Sequence, residues 1–107
     1  MTRIIRSYEH GTGEILDYGF DWAGDADDGG PYLESADTIE SSTWTVETGL
    51  TEVNDSDHPT QSTDTTTKIW ISAAAATVNT TYVITNTIVT DDGRTAERSI
   101  AITVVDR

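Results

Sequence analysis

Apolar and polar residues alternate with a period of two in the clearest segments of this chain, which predicts strands. Over Ile15–Trp22, Leu16, Tyr18, Phe20 and Trp22 share one face, while Asp17, Gly19 and Asp21 share the other. A second strand is expected over about residues 37–47. Ile39 and Trp44 stand five apart there, so one flat strand cannot turn both inward, and a bulge near Ser41-Ser42 would reconcile them. Short strands are expected at residues 50–53 and 67–72. Residues 23–35, rich in Asp and Gly, and the polar stretch 54–66 around His58-Pro59 read as loops. Ala73–Thr77 is too short for an independent helix and reads as a helical turn or tight connection.

The strongest local signal lies at the C-terminal end. Residues 82–90 and 98–105 flank Asp91-Asp92-Gly93, the signature of a hairpin. A two-residue loop would pair Ile84 with Ala101 and split the apolar set between two faces. A three-residue loop with Gly93 in the left-handed region pairs Ile84 with Ile100 and Tyr82 with Ile102, and this register is the one expected. About seven such strands predict an all-β fold, a two-sheet antiparallel sandwich. Tyr82 opens the penultimate strand, where immunoglobulin-like and fibronectin-like sandwiches carry their tyrosine corner. Asn86 is expected inside, where its amide needs partners, and Trp22, Trp44 and Trp70 are expected to anchor the core. The reading is an immunoglobulin-like sandwich over residues 15–107, preceded by an N-terminal arm over residues 1–14 with Gly11-Thr12-Gly13 as its joint.

Composition strengthens the all-β reading and adds a setting. The chain has 107 residues, enough for one domain, and its twenty threonines favour strands. Nineteen acidic residues oppose six basic ones, of which Lys68 alone is lysine, for a net charge of −13. Such a surface repels itself in ordinary buffer, whereas at about 1 M salt the screening length falls to ~3 Å. Two readings follow: a salt-adapted module from a halophile or one of its viruses, or an ordinary acidic domain. The scarcity of lysine favours the first. Acidity argues against nucleic acid as a partner, because phosphate binding needs clustered Lys and Arg. Without cysteine there is neither a disulfide framework nor a thiolate metal site. No apolar run reaches signal-peptide or membrane-span length, so neither the usual secretory route nor a membrane is expected.

Candidate chemistry is sparse. The two histidines, His10 and His58, lie in the expected arm and in a polar loop, and no nucleophile elbow, phosphate-binding glycine loop or zinc helix is present. The chain is not expected to be an enzyme. Asp25, Asp27 and Asp28, on a glycine-rich loop, form the one candidate metal site, since spaced carboxylates on a flexible turn suit Ca²⁺. Position twelve of that stretch is Ala36 rather than glutamate, so it is no EF-hand, and a solvated acidic loop is the competing reading. No other cofactor is expected. Residues 1–8 carry +2 on a chain of net −13, and Arg3, Ile4, Ile5 and Arg6 form a basic, apolar candidate for docking on an acidic neighbour.

Asp17-Tyr18-Gly19-Phe20-Asp21-Trp22 is followed by Asp37–Val46 with its Ser41-Ser42-Thr43-Trp44 core, and then by Gly49-Leu50. After these come Ile69-Trp70-Ile71-Ser72, Thr81–Asn86 and Gly93–Ile100. In that order the segments resemble the small immunoglobulin-like fibre–tail adaptor proteins of tailed viruses, over about residues 15–105. The resemblance implies a structural virion protein, without catalytic residues, that joins fibres to the tail or neck. It implies other virion proteins as partners, a homo-oligomer in a symmetric assembly, and a virion location after assembly in the host cytoplasm. The longer acidic stretch 23–34 and the long polar loop 54–66 depart from that family's pattern. Two alternatives stay open: a capsid-decorating or capsid-appendage protein, and a Ca²⁺- or carbohydrate-binding adhesion domain.

Overall fold

The computed structural model describes residues 4–24, 32–34 and 36–106, and its regular elements are all strands. Eight are present: β1 (Ile4–Gly11), β2 (Ile15–Asp21), β3 (Ile39–Val46), β4 (Thr51–Val53), β5 (Gln61–Ser62), β6 (Thr66–Ser72), β7 (Thr81–Thr90) and β8 (Thr95–Val105). They form two sheets packed as a sandwich. The first has the order β1-β8-β7-β3 and the second β2-β6-β4, with β5 also paired to β6. Since β2 occupies one edge of β6 along its length, β4 and β5 share the other edge. They are two pieces of one edge strand, interrupted by the excursion at residues 54–60.

The β7–β8 hairpin has the register expected from its hydrophobic set: Ile84 faces Ile100 and Tyr82 faces Ile102. Its three-residue loop closes with the Thr90 N–H donating to the Arg94 carbonyl, and Gly93 has φ +87°. A side chain is strained in that left-handed region, which is why glycine stands there. In β3 the register slips between Ile39 and Ser41, a bulge one residue before the expected place. The slip puts Ile39 in the core while Ser42, Trp44 and Val46 also face inward.

The core lies between the sheets. Tyr18, Phe20, Trp22, Ile69 and Ile71 come from the second sheet, and Ile84, Ile88, Ile100, Ile102 and Val104 from the first. Burial of each large apolar side chain stabilises the fold by about 1.5–3 kcal/mol. Tyr82 lies with its ring against Gly49, and its hydroxyl accepts a hydrogen bond from the Thr77 N–H at 2.9 Å. Ala73–Ala76 is a tight turn, closed by the Ala76 N–H on the Ala73 carbonyl.

From Ile4 onward, the segment read as an arm is a strand of the first sheet. β1 runs parallel to β8, with Tyr8 beside Ile102 and His10 beside Val104. The glycines after it form a hydrogen-bonded turn rather than a joint: the Glu14 N–H donates to the Gly11 carbonyl, and the Gly11 N–H to the Glu14 carboxylate. His10 is fully buried. Its Nε2 lies 2.8 Å from the Glu14 carbonyl, which can only accept, so Nε2 carries the proton. Nδ1 lies 2.7 Å from the Tyr18 hydroxyl, a hydrogen bond that ties β1 to β2 across the sheets.

Candidate functional site

Among the described residues, four places carry chemistry beyond the apolar core. The first is Asn86, on the inward face of β7. Its Oδ1 accepts from Trp22 Nε1 (3.1 Å) and from the Thr67 hydroxyl (2.7 Å). Its Nδ2 donates to Ser42 Oγ (2.9 Å) and to the Thr43 carbonyl (3.0 Å). An indole N–H can only donate and a carbonyl can only accept, so the amide orientation is fixed and all four of its capacities are used. The Arg98 guanidinium lies 4.4 Å from the centre of the Trp22 ring. Asn86 is therefore the structural asparagine expected from its inward position.

The second is the end of the sandwich beneath the β7–β8 loop. The Asp37 side chain is 1% exposed. Its Oδ1 accepts from the Thr38 and Asp92 N–H groups, and its Oδ2 from Arg94 Nη1 at 3.2 Å. Burial pushes this carboxyl up, but the Thr90 hydroxyl, the two N–H groups and Arg94 together outweigh it and hold it below its ordinary value. The Glu34 carboxylate, with Asp37 and Asp92, raises Arg94 in turn. Sequence patterning missed Asp37 because nothing local marks it. The signal was the Asp-Gly turn far along the chain, whose Asp92 N–H needs an acceptor.

The third is the excursion between β4 and β5. Asp55 Oδ1 accepts from the Asp57 and His58 N–H groups and lies 3.0 Å from His58 Nδ1. These bonds, the ring contact foremost, lower the Asp55 carboxyl. The His58 ring meets Trp70 edge-on, with centroids 4.9 Å apart. Trp70 is thus on the outer face of the second sheet and is not a core anchor, because Ile69 and Ile71 take the inward positions and alternation sends Trp70 out. Trp22 is fully buried, and Trp44 is half-buried, stacked on Phe20.

The fourth is the start of β1. Of the four residues expected to dock, Ile5 packs on the core and Arg6 Nη2 donates to the Gly19 carbonyl at 3.3 Å. Ile4 is 52% exposed. Arg3 lies outside the described residues, as do Asp25, Asp27 and Asp28. Among the described residues, no cluster of three His, Asp or Glu side chains could hold a metal ion.

A two-sheet sandwich whose buried polar groups hold strands and loops in place has the architecture of a structural module. The chain belongs to the family of the podophage GP4 fiber-tail adaptor protein gp77, whose model it matches over residues 11–103. It is a structural tail adaptor, and its partners are other virion proteins such as tail and fibre. No curated protein matches it.

Proposed function

We propose that this chain is a non-enzymatic connector that holds fibres on the tail or neck of a virus infecting a salt-loving host, and that it is incorporated as several copies in the host cytoplasm. The observation that carries this reading is the span of the family match, which runs through both sheets rather than one motif. The strand order supports an immunoglobulin-type sandwich, since β3-β7-β8 and β2-β6-β4 correspond to the C-F-G and B-E-D orders of that fold. Its mechanism is geometric. A rigid sandwich presents sheet faces and edges to neighbours, and repeated copies compensate for modest single contacts. Exposed Ile4 is the part of the N-terminal segment suited to such a contact.

Particles assembled without the chain test the reading. Tails that form but lack fibres, with fibres restored when the chain is supplied, are the expected result. Tails that keep their fibres would overturn it.

A further inference from the structure

The outer face of the four-stranded sheet stands apart from the rest of the surface. Register places Thr45, Thr85, Ser99 and Ile4 side by side across its four strands, and Val83 and Ala101 in the next row. Among the described residues, Glu9 and Glu97 take outward-facing ladder positions in this sheet, Glu40 is exposed at the β3 bulge, and Glu47, just past β3, accepts from the Val83 N–H at 3.0 Å; all four lie toward the margins of the face. Hydroxyls on the face are consumed within the sheet: Thr85 pairs with Ser99 at 2.6 Å and Thr81 with Thr103 at 2.8 Å. With their oxygens engaged, the threonines offer their γ-methyls outward. This makes a carpet whose centre is uncharged on a body of net charge −13.

We propose that this face is an interface between two copies of the chain, packed sheet on sheet. Charge selects the occupant. Contact through most other surfaces would bring carboxylates of two −13 bodies together, whereas this face brings methyls together at its centre and keeps its glutamates at the margins. Area supports it. Four strands spaced ~4.8 Å apart and about 30 Å long present on the order of 500 Å² per copy, or about 1,000 Å² in total. That reaches the lower bound of a specific interface, and an isologous contact is self-complementary. The inference does not depend on which virion proteins the chain joins. The clue in the sequence was the outward set of β7, Thr81, Val83, Thr85, Thr87 and Val89, charge-free in so acidic a chain.

Sedimentation equilibrium of the full chain at on the order of 100 µM, in low salt and in about 2 M KCl, tests it. A dimer that tightens with salt is expected. Thr85→Arg, at the centre of the face, and Thr45→Arg, on its exposed edge, should each weaken that dimer by roughly tenfold or more. Unchanged strand circular dichroism certifies that each variant is folded, and the Thr45 variant serves if the half-buried Thr85 position does not accept arginine. A chain that is monomeric in both salts, or a dimer that both folded variants leave intact, would overturn the proposal.

Discussion

The indole N–H of Trp22 and the amide oxygen of Asn86, 64 residues apart, meet at 3.1 Å in the centre of the sandwich. The contact joins the end of β2 in one sheet to β7 in the other, and Thr67 on β6 and Ser42-Thr43 on β3 complete it. Removing the amide strands a buried indole N–H and a buried hydroxyl. Asn86→Ala should therefore cost about 3 kcal/mol or more, roughly 10–20 °C in Tm for a domain of this size. Asn86→Asp replaces the donor that faces the Thr43 carbonyl with a second acceptor and should cost at least as much at neutral pH. Thermal unfolding of the two variants checks both. A loss under about 1 kcal/mol would mean that water replaces the amide.

Gly49 and Tyr82 set the corner at which the chain passes between the sheets. Gly49 has φ +120°, and a Cβ there would lie 2.4 Å from the Tyr82 ring. Gly49→Ala meets both backbone strain and a side-chain clash, and should destabilise by about 2 kcal/mol or more. Tyr82→Phe keeps the ring and loses the bond from Thr77, which should cost about 1 kcal/mol. Chemical denaturation of the two variants should rank them in that order.

Acid should loosen the sandwich first beneath the β7–β8 loop. Asp37 is held below the ordinary aspartate value of 3.8, so its ionised form stabilises the folded chain fully above 3.8. That contribution is lost as pH falls through the lower folded value. Asp37→Asn should reduce stability at neutral pH and flatten the pH dependence below 3.8. Thermal melts across that window check the sign. A variant that keeps the native slope would place the acid-labile group elsewhere.

The alternating set Leu16–Trp22 and the Ile84–Ile100 register were legible because each puts an apolar row on one face, and a one-residue slip would expose it. The bulge in β3 was legible for the same reason, from Ile39 and Trp44 at odd spacing. β1 was not. Its inward ladder positions are Arg6, Tyr8 and His10, which an apolar count passes over, and a parallel pair has no hairpin turn to announce it. Trp70 misled because aromatic size argues for the core while strand alternation decides the face. The Asp37 node and the Asn86 clamp depend on partners tens of residues away. Inward position alone foretold that Asn86 needs partners, not which ones.

Salt should act on the stability of the chain as a whole. With a net charge of −13, repulsion between carboxylates opposes compaction in dilute buffer, and at about 1 M salt it is screened beyond ~3 Å. Raising KCl from about 0.1 to 2 M should add about 2 kcal/mol or more, ~10 °C in Tm. KCl is the informative salt, because sulfate strengthens apolar burial in any protein. A Tm that is flat across this range would remove the halophilic reading and leave the adaptor role untouched.

The excursion at residues 54–60 gives Trp70 a cover that depends on one carboxylate. Asp55 caps two N–H groups and holds the His58 ring, and that ring in turn meets Trp70 edge-on. Asp55→Ala removes the cap without touching the core, so Tm should change by no more than about 4 °C. The indole beneath should become more accessible, with faster quenching by acrylamide and a red-shifted emission component. His58→Ala should give the same optical change with the loop turn intact. If both variants quench like the native chain, the loop holds its place through its other bonds, from the Thr60 N–H to Asn54 Oδ1 and from the Thr60 hydroxyl to the Glu52 carboxylate, and through the pairing of β5 with β6. In that case the His58 ring is a passenger on Trp70 rather than its cover.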